Sequence, residues 1–246
     1  MVDYNPDSQL IRSLKLINCR ELGGMPLAGG KTFRKGVFIR SGSPEKLTAP
    51  ELQEVKDYGV KCVIDLRAKA ELKDFGNPFQ NDPDVEFHFV PLFPGDPNNL
   101  SDDLIDFIRN RHLGDYYVRI CEDLGKEVIE VMRYLASSKG LTLFHCTHGK
   151  DRTGTITAML YNLAGASREN IILNYKVSYV YLEKILERRM MKMPDDMKHL
   201  LRSDEINMQI FLDYVDKIWN GDISNFFRAN GMTNDEIDAL KAKCIG

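Results

Sequence analysis

The fold is decided by residues 141–163, which read LTLFHCTHGKDRTGTITAMLYNL. The apolar run at 141–144 predicts a buried strand, and residues 152–163 predict a helix. A tight turn between a strand and a helix N-terminus aligns successive backbone N–H groups, and the helix dipole adds partial positive charge. We therefore expect an anion-binding loop at the carboxyl end of a strand.

The chemistry of the loop comes from Cys146 and Arg152, which are six positions apart around Gly149. The field that binds an anion also favours a thiolate, so Cys146 is predicted to be a nucleophile. Arg152 offers a planar fork that binds two phosphate oxygens together. The phosphate ligands are expected from one run of residues: Thr147, His148, Gly149, Lys150, Asp151 and Arg152. This pattern predicts attack of Cys146 on a phosphate monoester, and hydrolysis of the phosphocysteine by water.

Residues 145–154 (HCTHGKDRTG) resemble the His-Cys-x-x-Gly-Lys-Asp-Arg-Thr-Gly loop of atypical bacterial protein tyrosine phosphatases, the lipid-phosphatase-like tyrosine/serine phosphatases. Other matching segments are NCRELGG at 18–24, FIRSG at 38–42, VIDLR at 63–67 with Glu71, VPL at 90–92 and the stretch 225–240. The resemblance thus spans most of the chain. It implies a cysteine-dependent phosphatase fold. Cys19, Glu21 and His148 depart from the usual residues of that family.

The remaining pattern predicts an α/β fold, with a central mixed or parallel sheet flanked by helices and a helical C-terminal half. Strands are expected at 14–17, 37–40, 60–66 and 85–90, and helices at 48–59, 68–75, 100–112 and 115–138. Ser167 and Thr233 are expected helix N-caps. The length favours a single domain over 1–246, in which residues 171–201 form a helical lid or an appendage.

The residues around the nucleophile have predicted supporting roles. His145 is expected to point away from substrate, to orient the loop and to favour the thiolate. The resemblance implies that the hydroxyl of Thr153 donates a hydrogen bond toward the sulfur. Lys150 adds a second cation that would suit the additional phosphate of a phosphoinositide, and a solvated loop lysine is the other interpretation. His148 would add charge when protonated.

The leaving group needs a proton, and two carboxyl groups are candidates for the general acid. Asp96 lies in the loop that follows the strand at 85–90, where this fold keeps a mobile acid. Asp151 lies inside the phosphate loop, and the resemblance implies a catalytic part for it. We expect Asp96 to be the acid and Asp151 to support or share the role.

Composition limits the other possibilities. The net charge of the 246 residues is −3, so no nucleic-acid partner is expected. No apolar run approaches the roughly 18 residues of a membrane span. The five cysteines are scattered and predict no disulfide framework. The polar first residues resemble no signal peptide, which favours the cytoplasm, while non-standard secretion stays open.

The sequence therefore predicts a phosphatase that needs no metal or organic cofactor. Phosphotyrosine is the first expected substrate, with phosphoserine or phosphothreonine (dual specificity) and phosphoinositides as further ones, and inorganic phosphate or another oxyanion would occupy the loop. The alternatives are a phosphoinositide-dedicated phosphatase and a non-catalytic phosphate-binding module. A metal site at His145, Cys146 and His148 is disfavoured, because no fourth ligand accompanies them.

Overall fold

The computed structural model describes residues 4–93 and 102–246. Within these ranges the strands are β1 (Arg20–Glu21), β2 (Phe38–Ser41), β3 (Val60–Asp65), β4 (Glu86–Phe89) and β5 (Leu141–His145). The α-helices are α1 (Ala49–Asp57), α2 (Lys69–Phe75), α3 (Asp102–Asn110), α4 (Leu113–Asp123), α5 (Gly125–Ser137), α6 (Asp151–Ala164), α7 (Arg168–Lys192), α8 (Glu205–Trp219), α9 (Ile223–Ala229) and α10 (Asn234–Cys244). None of these helices is both long and apolar enough to cross a bilayer.

The five described strands form one sheet in the order β1-β2-β5-β3-β4. Strands β2, β5, β3 and β4 are parallel, and β1 pairs with β2 in the antiparallel direction. β5 is central, and its last residue, His145, lies between Ser41 and Asp65 in the register. The residue before Cys146 is therefore fixed by a strand on each side. The predicted mixed α/β sheet is confirmed.

The two faces of the sheet bury different side chains because neighbours along a strand point in opposite directions. Phe38, Ile64 and Phe144 face the larger core, which α4–α6 and α8–α10 cover. Ile39, Val63 and Leu143 face a smaller core, which contains Val55 of α1. Helices thus cover both faces, and the part of the chain after residue 150 is helical, as predicted.

The predicted strand at 14–17 is wrong. Leu14 and Leu16 are buried and Lys15 is exposed, which is the alternation that suggested a strand. These residues instead form an irregular segment whose two leucines pack into the smaller core. Burial alternates along this segment because one side of it packs on the smaller core. Such alternation does not require backbone hydrogen bonds to a neighbouring strand.

The single helix predicted at 115–138 is also wrong, because the chain divides it into α4 and α5. Leu124 leaves the helical region with φ −126° and ψ 30°, and the poor helix former Gly125 follows it. Both helices bury an apolar face in the same core, so the periodicity runs through the break without revealing it. The two predicted N-caps, Ser167 and Thr233, do precede helices, and Thr48 precedes α1 at the start predicted for that helix.

Candidate active site

Cys146 follows β5 directly, residues 146–150 form an irregular loop, and α6 begins at Asp151. The predicted strand, loop and helix are therefore present in that order. Cys146 is only 2% exposed, and Gly149 takes the positive φ of 65° that its position in the turn requires. The loop lies at the carboxyl end of the central strand, where parallel sheets place their ligands.

Arg152 lies in the first turn of α6, and a carboxylate from α2 holds its guanidinium. Its Nη1 is 2.5 Å from Glu71 Oε2, and its Nη2 donates to Glu71 Oε1 at 3.2 Å. The hydroxyl of Thr147 also donates to Glu71. Burial raises the pKa of Glu71, but the hydrogen bonds and charge of Arg152 outweigh it and lower that pKa to about 2. The ionised carboxylate therefore orients the fork toward the loop.

His145 is fully buried on the sheet side of the loop. Its Nε2 is 2.9 Å from Asn77 Nδ2 and 3.8 Å from Asp65 Oδ2, and its Nδ1 is 3.3 Å from the carbonyl oxygen of Cys146. Burial lowers the pKa of His145 more than the neighbouring Asp65 raises it. These contacts suit a residue that orients the loop.

The side chain of Thr153 is buried beside the loop, and its hydroxyl has no hydrogen-bond partner in the described part of the chain. The bond toward the sulfur of Cys146 that the resemblance implies is thus not formed in this structure.

Asp151 receives hydrogen bonds from two sides. Tyr117 OH donates to Asp151 Oδ1 at 2.5 Å, and Lys150 Nζ is 3.0 Å from the same oxygen. The hydroxyl of Tyr175 lies 2.6 Å from that of Tyr117, and Asn207 Nδ2 donates to Tyr175 at 3.3 Å. Burial raises the pKa of Tyr117, which keeps its proton available for donation. The sequence did not identify these tyrosines, because α4 and α7 meet α6 only in the folded chain.

Lys150 uses its ammonium group inside the protein. Only 2% of the residue is exposed, and Nζ donates to the carbonyl oxygens of Leu200 at 3.0 Å and Arg202 at 2.6 Å. Together with Asp151, these contacts match the three donors of an ammonium group. In this conformation Lys150 therefore ties the loop to the segment before α8.

Burial lowers the pKa of His148 to about 4, so this side chain is uncharged at neutral pH. The positive charge suggested for it from the sequence is therefore absent near pH 7.

A cavity of about 310 Å³ opens above residues 148–152. Phe93, Phe107 and Tyr116 line one part of it. Further lining residues come from the region that the sequence marked as a lid: Leu186, Arg189, Met193, Met197, Leu200 and Leu201. Arg152 lies 5.9 Å from the centroid of the Phe93 ring, and the rings of Phe93 and Tyr116 are 6.0 Å apart. An aromatic wall and a guanidinium thus meet at the loop.

Asp96, the other acid candidate, lies outside the described residues. Among the residues that are described, His145, Cys146 and His148 form no group of converging metal ligands. One such group exists in that part of the chain, at Cys62, Glu86 and His88 on β3 and β4.

The model of the tyrosine phosphatase family matches residues 11–246 of the chain. The chain belongs to the tyrosine phosphatase family. A "putative tyrosine-protein phosphatase" of Cupriavidus necator is 31% identical over 172 residues, which cover 64% of this chain and 59% of that protein. A tyrosine-protein phosphatase of Nostoc commune is 31% identical over 147 residues, which cover 59% of this chain and 49% of that protein. The chain thus matches between about half and three fifths of the length of these relatives.

Solved structures that a structural search matches to the chain include Pseudomonas aeruginosa TpbA in complex with pTyr, at 17% identity and a TM-score of 0.35, with 84% of each chain covered. Another is the core catalytic domain of the Saccharomyces cerevisiae PP-IP phosphatase SIW14 in complex with citrate. It is 16% identical with a TM-score of 0.35, and the match covers 82% of this chain and 94% of the SIW14 chain.

Proposed function

We propose that this protein is a cysteine-dependent phosphomonoester hydrolase that acts on phosphotyrosine. The observation that carries the proposal is the position of Cys146 at the end of the central strand, with Arg152 on the adjoining first turn of α6 and oriented by Glu71. Membership of the tyrosine phosphatase family supports it.

The reaction has two balanced steps. The thiolate of Cys146 attacks phosphorus, so that an S–P bond forms and the ester P–O bond breaks, and a carboxylic acid protonates the leaving oxygen. Water then attacks the phosphocysteine and gives its proton to that carboxylate; the S–P bond breaks and the thiolate returns. Arg152 and the loop N–H groups bind the equatorial oxygens, which gain charge in the transition state.

Two carboxyl groups compete for the acid role. The sequence favours Asp96, which lies outside the described residues. Asp151 has support from its place in the lining of the cavity and from the hydrogen bond that fixes one of its oxygens. Asp151→Asn and Asp96→Asn distinguish them, because loss of the acid slows alkyl phosphates, whose leaving groups need a proton, more than aryl phosphates.

The walls of the cavity support an aryl phosphate. Phe93 and Tyr116 place a pair of aromatic rings beside Arg152, and a phenyl ring that follows a phosphate into the loop would pack against this pair. The contacts of Lys150 leave no ammonium hydrogen for a second phosphate in this conformation. A phosphoinositide would have to displace one of those contacts, so we place it after phosphotyrosine, together with phosphoserine and phosphothreonine.

We further propose that residues 171–201 belong to the same domain and form one wall of the substrate cavity. Leu182, Leu186 and Leu201 form a small core of their own, against which Met190 and Met193 pack. Lys150 joins this segment to the loop through the carbonyl oxygen of Leu200. Movement of this wall would therefore change the access to the cavity beside Lys150, Asp151 and Arg152.

The test is phosphate release by the purified protein, in EDTA, from a phosphotyrosine peptide, a phosphoserine peptide and a short-chain phosphoinositide. We expect turnover of the first substrate above the others, with no need of metal. Cys146→Ser should remove turnover and keep oxyanion binding, since the loop remains. Activity in that variant would refute the phosphocysteine mechanism, and tungstate binding without turnover by the wild type would favour a phosphate-binding module.

A further inference from the structure

Three consecutive carbonyl groups on the outer side of the loop, at residues 147–149, accept hydrogen bonds from one early part of the chain. Ser43 N donates to the first of them at 3.1 Å. Asn18 Nδ2 donates to the second at 3.1 Å and to the third at 2.8 Å. Arg40 Nη2 donates to the third, that of Gly149, at 2.6 Å.

These bonds also orient the N–H groups of the loop. A trans peptide unit is planar, so the carbonyl of one residue and the N–H of the next point in opposite directions. Carbonyls that face the early segment therefore turn the N–H groups of residues 148–150 away from it, toward the inside of the loop. Within the described chain, no backbone N–H of residues 147–152 donates to another protein group. These donors are thus free for an anion.

Arg40 also places a charge behind the loop. It is 1% exposed, and its other contact, from Nη1, is to the amide oxygen of Asn174 at 3.2 Å. No described carboxylate forms an ion pair with it. Burial and the charge of Arg20 lower the pKa of Arg40, whereas the charge of Cys146 raises it. A buried cation without a carboxylate is costly, and an anion in the loop would compensate for it.

We propose that Arg40 is a positioning residue of the phosphate loop, which it orients through the Gly149 carbonyl and supports with a buried positive charge. The proposal rests on the proposed function in so far as the bound anion is the phosphate of a substrate. Arg40 touches neither the nucleophile nor the cavity, and it acts through the peptide unit that joins Gly149 to Lys150.

Arg20 offers a matched control on the neighbouring strand. The two arginines are partners in the register of β1 and β2, and Arg20 is equally buried. Its guanidinium donates to the carbonyl oxygen of Asn174 at 2.5 Å and to Ser178 Oγ at 2.7 Å, both on α7. In the described structure it has no hydrogen bond to the loop. Its loss should therefore carry a similar structural cost while every direct hydrogen bond to the loop remains.

The experiment compares Arg40→Gln with Arg20→Gln in the full chain, by calorimetric binding of tungstate, thermal melting and kcat/KM for a phosphotyrosine peptide. We expect both variants to melt earlier. Only Arg40→Gln should weaken tungstate binding, by about 10-fold or more, because it loses a charge-assisted hydrogen bond that orients the donors. Arg40→Lys should recover part of the affinity, since it keeps the charge.

Equal tungstate affinities of the two glutamine variants would overturn the proposal, and so would an Arg40→Lys protein that binds as weakly as Arg40→Gln. If the Arg40 variants do not fold, Asn18→Gly replaces them, because glycine keeps the positive φ of 52° and removes the other donor to Gly149. That variant should also bind tungstate more weakly, and unchanged binding would refute the role of these contacts. If Arg40→Gln binds tungstate more weakly but the wild-type protein does not turn over the phosphotyrosine peptide, the proposed function is refuted and the role of Arg40 stands.

Discussion

Gly149→Ala is the most direct test of how closely the phosphate loop packs on the sheet. An alanine Cβ at this position would lie 2.4 Å from both the carbonyl carbon and oxygen of Ser41, and 2.7 Å from the backbone nitrogen of Gly42. All three are backbone atoms, so a side-chain rotation gives no relief. The residue would also have to keep a φ of 65°, in the left-handed region.

The left-handed backbone and the steric overlap each lower the free energy of unfolding of the variant. Left-handed backbone costs a non-glycine residue about 1–2 kcal/mol, and insertion of a methyl group into a packed site costs roughly 1–3 kcal/mol. The free energy of unfolding should therefore fall by about 2–5 kcal/mol. In a chain of this length, that loss corresponds to a decrease in Tm of roughly 4–20 °C. If the loop moves outward instead, it loses the bonds that orient its N–H groups, and oxyanion binding falls.

Gly30→Ala isolates the backbone effect. Gly30 has a φ of 72°, and no atom lies within 4 Å of the position that its Cβ would take. This control should lose only about 1–2 kcal/mol of stability and should bind tungstate like the wild type. The assay is thermal melting with tungstate titration of the three proteins. Equal melting of the two variants, with unchanged tungstate affinity in Gly149→Ala, would refute the close packing of the loop.

Two further predictions concern the side chains around the loop. Tyr117→Phe removes the hydroxyl 2.5 Å from Asp151 and keeps the ring, so kcat for an alkyl phosphate should fall about 10-fold; an unchanged kcat would show that Asp151 needs no such partner. The same buried hydroxyl also bonds Tyr175, so the variant should lose about 1–3 kcal/mol of unfolding free energy. Glu71→Gln breaks the ion pair with Arg152, and the depressed pKa of Glu71 sets the pH dependence. The stabilisation by Glu71 should be complete above the pKa of about 4.3 that a glutamate has in the unfolded chain, and it should disappear as pH falls toward the folded pKa of about 2. The difference in unfolding free energy between the wild type and Glu71→Gln should therefore become smaller between these two pH values. A difference in urea unfolding that stays constant from pH 5 to about pH 3 would contradict this.

Much of the fold could be predicted because its elements carry local signals. β3 and β5 are apolar runs bounded by turn residues, and the capping boxes at Thr48 and Thr233 mark the starts of α1 and α10. The two errors have one cause. Periodicity reports which side chains are buried, and it does not report whether the backbone forms a ladder at 14–17 or stays helical through Leu124.

The proposed chemistry of the site also has a local origin, because the proposed nucleophile, the arginine and the proposed phosphate-binding amides lie within residues 146–152. A turn of a few residues between a strand and a helix has few available conformations, so its sequence alone indicates an anion site. The resemblance to a known family added Glu71 and Arg40 as matching positions, without assigning contacts to them.

The contacts that orient this loop depend on the folded chain. Glu71 lies 81 positions before Arg152, and Arg40 lies 109 positions before Gly149. They reach the loop because β2 and β3 flank β5 in the sheet, although β5 is the last strand along the chain. Strand order follows from the joint packing of both sheet faces, and no short segment encodes it. A short stretch of residues is therefore enough to propose the reacting groups, while their orientation arises from the packing of the whole domain.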